Sequence, residues 1–188
     1  MMNSETEQYI RDIKKDLRAA MNGILSAKMR EAGAPYKLIF GVELPRLMSI
    51  ASEYPKDRAL AQALWNENIR ESKLLACMLM PEDTFSPELA DIWASEIPTA
   101  EVAQVLAMYT LCRTEHAADT AFRWIASSCY YRQLCGLLCV TRLLRTGTTL
   151  NEHSSAELRD QASSLLPAAD IHLRKAITAT LDALDTDR

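Results

Sequence analysis

The sequence predicts an all-α fold, and three features of its composition favour it. Glycine and proline are scarce, with 5 and 7 among 188 residues, and aromatic residues make up only 6%. Residues that favour helices, above all alanine, leucine, arginine, glutamate and methionine, are abundant. The hydrophobic share of 48% and the charged share of 24% are typical of soluble globular proteins. At this length we expect one domain over residues 1–188.

The N-terminal segment is predicted to form one long amphipathic helix. Ser4 and Glu7 have the spacing of a capping box, which marks a helix start. Apolar residues then recur at three- and four-residue steps as far as Ile24. The helix is expected to end near Gly33, where glycine and proline follow.

The next segment is predicted to alternate connectors and helices. Residues 36–42 read as a short apolar connector, and the helix after them carries Pro45 in its first turn, where a missing N–H costs little. That helix is expected to stop before Pro55. Residues 56–80 fit one or two helices, with a break predicted around residues 66–68.

The second half is predicted to be a series of shorter helices. Antiparallel helix pairs of roughly 35–40 residues are typical of a HEAT-like repeat superhelix. No strict sequence repeat is visible, so a plain helical bundle remains the alternative. The helices are expected at about 86–96, 100–112, 115–127, 129–145 and 154–164, with a last one carrying an apolar stripe from Leu173 to Leu184.

The charge of the chain is unevenly distributed. The formal net charge is −4, which argues against non-specific attraction to phosphate. Residues 76–120 hold one basic and eight acidic residues, whereas the segments on either side are close to neutral. The acidic excess that argues against binding of nucleic acid is therefore confined to the middle of the chain.

Two pairs of residues have the spacing of metal ligands. Cys112 with His116 and Cys135 with Cys139 each place two soft ligands four residues apart on a helix, as a zinc site could require. Because all lie in apolar helical patterns, core packing is the favoured interpretation, and no metal or cofactor is expected. An odd number of cysteines, no signal-peptide pattern and no long apolar run predict a cytoplasmic protein without membrane contact.

Common catalytic motifs are missing from the sequence. It contains no glycine-rich phosphate loop, no G-x-S-x-G elbow and no H-E-x-x-H helix. Trp65, Trp93 and Trp124 could serve as stacking platforms for bases. Each has aliphatic neighbours at helical spacing, so the favoured interpretation is that they fill the core.

Five segments of the sequence carry a recognisable pattern. The most specific is Ala-Leu-Trp-Asn-Glu-Asn-Ile-Arg-Glu-Ser-Lys-Leu-Leu-Ala at 63–76, preceded by Phe-Gly-Val-Glu-Leu-Pro-Arg-Leu at 40–47. The others are Phe-Arg-Trp-Ile-Ala-Ser at 122–127, Tyr-Arg-Gln-Leu at 131–134 and Leu-Arg-Lys-Ala-Ile at 173–177. In these segments the sequence resembles the DNA alkylation repair family, the AlkD-like glycosylases built of HEAT-like repeats, and the last three resemble later helices of that family.

The resemblance implies a concave basic surface for duplex DNA and hydrolysis of the N-glycosidic bond of cationic alkylated purines. A carboxylate and aromatic faces would serve that reaction. Here the family's tryptophan and aspartate align with Thr99 and Ala103, and its second tryptophan aligns with Ala179. No catalytic residue is therefore predicted, and a protein that is not an enzyme is favoured.

The resemblance also implies which cations would face DNA. Arg132, Arg174 and Lys175 are the predicted contacts to the DNA backbone. Three hypotheses follow: a member of the family that binds duplex DNA without the glycosylase residues, a HEAT-like scaffold that binds protein, and an active glycosylase that uses other residues. The oligomeric state does not follow from the sequence.

Overall fold

The structure, a computed structural model, describes residues 4–186, and this part of the chain consists of helices joined by turns. Within it, an isolated parallel β-bridge joins Leu38 to Ile69, and no strand forms. The all-α prediction is confirmed for these residues. None of the helices in this range combines the length and the apolar character needed to cross a membrane.

The chain folds as two compact units, the first ending at Thr84 and the second beginning at Phe85. The single domain expected over residues 1–188 stays a prediction. In the first unit α5 packs against α3 and α4, and α1 packs against α4. The helices of this unit are α1 (Ser4–Ala19), α2 (Gly23–Glu31), α3 (Leu44–Ala51), α4 (Arg58–Trp65) and α5 (Arg70–Leu79).

The prediction of one long N-terminal helix is wrong, because the chain breaks between α1 and α2. Asn22 caps α2, since its side-chain oxygen accepts the backbone N–H of Leu25 at 3.1 Å. Its own backbone N–H donates to the carbonyl of Phe40 at 3.0 Å. The buried stripe of α1 ends at Leu17, and Ile24 is 74% exposed. A cap and a tertiary hydrogen bond thus override an uninterrupted apolar pattern.

A buried ion pair ties the connector after α2 to the start of α5. The Glu71 carboxylate accepts the backbone N–H groups of Phe40, Gly41 and Val42 at 3.0, 2.9 and 3.2 Å. Arg70 Nη1 donates to Glu71 Oε1 at 2.8 Å and to the Val42 carbonyl at 2.9 Å. Both side chains are buried. We call these five residues the Glu71 clamp, and they come from the two segments that carry the strongest family resemblance.

The backbone of the clamp requires glycine at position 41. Gly41 has φ +76°, and a Cβ there would lie 2.7 Å from the backbone nitrogen of Ser26. The Ser26 hydroxyl donates to the carbonyl of Ile39 at 2.7 Å, which holds α2 against the connector. Any residue with a Cβ at position 41 would therefore force α2 to move.

The second unit is built around its central helix, α9. This helix packs against α7, α8 and α11, and the helices begin and end close to their predicted bounds. Trp65 of the first unit and Trp93 and Trp124 of the second are fully buried, so their interpretation as core residues is confirmed. The helices of this unit are α6 (Pro87–Ser95), α7 (Ala100–Tyr109), α8 (Ala117–Ile125), α9 (Tyr130–Arg145), α10 (Glu152–Leu165) and α11 (Ile171–Thr186).

Two faces of helix α9 lie against different neighbouring helices. On one of them Gly136 lets α8 approach closely, because a Cβ there would lie 2.6 Å from the carbonyl oxygen of Ala121. Leu138 lies two residues further on, about 200° around the helix. It faces the surface that α9 shares with α7 and α11.

Candidate nucleic-acid interface

A groove with a volume of about 470 Å³ lies between α7, α9 and α11. We call it the arginine groove, because two arginines of α9 lie on it. None of its lining residues is a carboxylate or an aromatic residue. They are Gln104, Ala107 and Met108 of α7, Leu138, Thr141, Arg142, Arg145 and the following Thr146, and Ala179 of α11.

Buried polar contacts hold the three helices around the arginine groove. The hydroxyls of Thr141 and Thr180 lie 2.8 Å apart and join α9 to α11. The thiol of Cys135 donates to the carbonyl of Ala103 at 3.1 Å and joins α9 to α7. Cys135, Thr141 and Thr180 are buried, so the groove is built on fixed helices rather than on loops.

Arg142 and Arg145 supply the positive charge of the groove. Both are exposed and stand one turn apart at the end of α9, and neither forms an ion pair with a described residue. Arg145 also borders a smaller cavity of about 310 Å³ that Asp182 lines, without forming an ion pair with it. Residues 85–186 hold 8 basic and 12 acidic residues. The groove is therefore a cationic site on an acidic unit.

The predicted DNA contacts on α11 differ in their surroundings. Lys175 is exposed and precedes Ala179 by four residues, which places it on the face of α11 that borders the arginine groove. Arg174 is also exposed, but its Nη2 donates to the carbonyls of Leu166 and Ala169 at 3.4 and 3.2 Å. Lys175 thus lies one helical turn before the groove residue Ala179 without lining the groove itself, whereas Arg174 is turned toward the preceding segment.

The third predicted contact, Arg132, lies away from the groove in a cluster around Asp91 of α6. Its Nη2 donates to the backbone carbonyl of Asp91 at 3.1 Å, and its side chain is half-buried. The Asp91 carboxylate accepts Arg123 Nη1 at 2.7 and 2.9 Å and the Trp124 indole N–H at 2.6 Å. Two of the segments in this unit that resemble the family, residues 122–127 and 131–134, therefore both contact Asp91.

The surroundings of Asp91 lower its pKa. Burial alone would raise the pKa, but the hydrogen bonds from Trp124 and Arg123, together with the charges of Arg123 and Arg132, lower it more. The net result is a pKa below the ordinary value of 3.8. The carboxylate therefore stabilises the second unit at neutral pH, and this contribution is lost as the pH falls below that value.

We expect an Asp91→Asn variant to lose about 1–2 kcal/mol of the free energy of unfolding at neutral pH, because charged hydrogen bonds are replaced by weaker ones. The difference from the parent protein should shrink as the pH falls through the native pKa of Asp91. Urea denaturation at neutral pH and near pH 3, followed by circular dichroism, measures both effects. Asp160→Asn, which removes an exposed charge on α10, should change the free energy of unfolding by less than about 0.5 kcal/mol at either pH.

The three positions aligned with the family's catalytic residues do not come together at the groove. Thr99 is the N-cap of α7, and its hydroxyl oxygen accepts the backbone N–H of Val102 at 3.4 Å. Ala103 is fully buried, and its backbone carbonyl accepts the Cys135 thiol of α9. Only Ala179 opens into the arginine groove.

The two pairs of potential metal ligands, Cys112 with His116 and Cys135 with Cys139, make structural contacts. Cys135 and Cys139 are buried, and the Cys112 thiol donates to the carbonyl of Met108 at 3.0 Å. His116 donates from Nε2 to the carbonyl of Phe85 at 2.7 Å, with its Nδ1 2.9 Å from the Thr120 hydroxyl. Among residues 4–186, no group of three or more potential ligands is placed to hold a metal ion.

Arg142 and Arg145 were not among the residues predicted to bind DNA. A signal for them is present in the sequence, because they are three residues apart on a helix with no acidic residue at three- or four-residue spacing from either. Basic residues at the end of a helix also interact favourably with its dipole, which is the plainer interpretation of the pattern. Only the neighbouring α7 and α11 show that the pair lines a groove.

A family model described as "DNA alkylation repair enzyme" matches residues 13–185. No curated protein matches the chain. A solved structure, described as "a new family of proteins related to the HEAT-like repeat DNA glycosylases with affinity for branched DNA structures", is similar with a TM-score of 0.80 and 18% identity, over 93% of this chain and 74% of that one. The fold is therefore that of the HEAT-like repeat proteins, as predicted.

Proposed function

Because the chain belongs to the DNA alkylation repair enzyme family, we propose that it binds DNA through the sugar–phosphate backbone and does not use the base-excision chemistry of the glycosylases. The observation that carries this proposal is the arginine groove. It offers two cations without carboxylate partners and no residue suited to cleaving a glycosidic bond.

Phosphate binding follows from the character of these cations. A guanidinium group donates in a planar fork that matches two phosphate oxygens, and it stays charged at every physiological pH. Arg142 and Arg145 need not break an ion pair before they bind, and Lys175 adds a third charge on α11, one turn before Ala179. Arg132 and Arg174 remain proposed contacts of lesser weight, since each already donates to backbone carbonyls.

The proposed loss of base excision follows from the residues that line the groove. Stabilising an oxocarbenium-like transition state requires a carboxylate close to the sugar, and a cationic base favours an aromatic face. The arginine groove has neither. A carboxylate at position 103 would not repair this defect, because that position is fully buried and does not line the groove.

The similar solved structure supports DNA as the ligand. That protein is described as one of a family with affinity for branched DNA structures. At 18% identity the likeness itself concerns the fold. The proposal for this chain therefore depends on the free cations of the groove, with the relative as support.

A pair of assays on one DNA tests the proposal. With a duplex that contains a single N-methylated purine, we expect binding at low salt but no release of the methylated base above the buffer control. A glycosylase that excises the same base serves as the positive control. Base release would contradict the second half of the proposal and favour an active glycosylase with other residues. The absence of binding would contradict the first half and favour a scaffold that binds protein.

A further inference from the structure

The arginine groove has more apolar surface than phosphate binding needs. Ala107, Met108, Leu138 and Ala179 form part of its lining, and Met108 is 44% exposed. We call these four residues the floor. Phosphate gains nothing from an apolar floor, because it is strongly hydrated. The groove therefore suits a ligand that combines a phosphate with a flat apolar group.

We propose that the arginine groove receives one unpaired nucleotide of a DNA strand, with its base on the floor and its phosphates at Arg142 and Arg145. This inference rests on the proposed function and names the ligand of the same site. The volume of about 470 Å³ is in the range of cavities that hold small molecules. Gln104, which is exposed on the groove, carries an amide that can donate to or accept from the edge of a base.

Paired DNA cannot make all of these contacts. In a duplex the bases are stacked inside the helix, and the outer surface offers only sugars and phosphates to a protein that follows the backbone. Such a duplex can reach Arg142 and Arg145 but leaves the floor uncovered. A nucleotide without a partner costs least to take out of the stack. The protein should therefore prefer DNA that carries an unpaired nucleotide.

The size of the side chain at position 179 determines whether a base can reach the floor. Ala179 is half-buried on α11, one turn beyond Lys175, and its methyl group leaves room between α11 and α9. A larger aliphatic side chain would fill this room and remove no charge. A variant at this position consequently separates recognition of the base from contact with phosphate.

The test compares the full-length protein with its Ala179→Leu and Ala179→Ser variants on two DNAs. One is an intact duplex, and the other has the same sequence with one unpaired 2-aminopurine nucleotide. We expect the parent protein and Ala179→Ser to bind the second DNA at least about fivefold more tightly, because the base buries apolar surface. Ala179→Leu should lose this preference and keep its affinity for the intact duplex within about twofold. The fluorescence of 2-aminopurine should change on binding to the parent protein but not to Ala179→Leu.

Two results would overturn this inference without touching the proposed function. The first is equal affinity of the parent protein for both DNAs. The second is a preference that survives in Ala179→Leu, which would place the unpaired nucleotide elsewhere. If the parent protein bound neither DNA at low salt, the proposed function and this inference would both be wrong.

Discussion

A Glu71→Ala variant is expected to lose about 3–5 kcal/mol of the free energy of unfolding of the first unit, the usual cost of removing one partner of a buried ion pair. The loss is large because three backbone N–H groups would remain buried without their acceptor, and the buried Arg70 guanidinium would lose its countercharge while keeping its bond to the Val42 carbonyl. Urea denaturation gives the change in free energy. Amide hydrogen exchange should show reduced protection at residues 38–47 and 70–79.

Glu43→Ala is the matched control for this prediction. Glu43 follows the same connector as the N-cap of α3, is exposed, and makes no side-chain capping bond. Its removal should change the free energy of unfolding by less than about 0.5 kcal/mol. Equal stability of the two variants would contradict the role assigned to the Glu71 clamp.

A double Arg142→Ala and Arg145→Ala variant is expected to bind duplex DNA on the order of tenfold more weakly or worse at low salt, because two charged hydrogen bonds to phosphate are lost. The weakening should be the same for unrelated sequences, since contacts to the backbone carry no sequence information. Fluorescence anisotropy with labelled duplexes of two different sequences measures both properties.

The control for the double variant removes the same charge from another helix. Lys15 and Arg18 are exposed on α1, three residues apart, as Arg142 and Arg145 are on α9. Lys15→Ala with Arg18→Ala should lower the affinity by less than about twofold. If this control weakened binding as much as the groove variant does, net charge rather than the arginine groove would explain the loss.

The helical elements could largely be predicted from the sequence, because apolar spacing and capping residues act locally. The exception is the break at Asn22, which depends on a hydrogen bond to Phe40, eighteen residues away along the chain. The burial of the three tryptophans was also predictable, since large apolar side chains at helical spacing normally pack between helices.

The candidate site was harder to predict, because the most recognisable segments serve the fold. The pattern that includes Gly41 and Glu71 forms the Glu71 clamp, and Arg123, Trp124 and Arg132 gather at Asp91. The arginine groove, in contrast, combines ordinary residues from three helices. Spacing within α9 reveals the arginine pair, but only the packing of α7 and α11 reveals the groove and the apolar floor beside the pair.

The dependence of duplex affinity on salt tests the central claim most directly. Each phosphate contact should contribute about −0.9 to the slope of log K against log salt concentration. We expect a clearly negative slope for the parent protein, and a slope shallower by about 1.8 for the double Arg142→Ala and Arg145→Ala variant. A flat or undetectable isotherm for the parent protein, or an unchanged slope for the variant, would contradict backbone binding through the arginine groove.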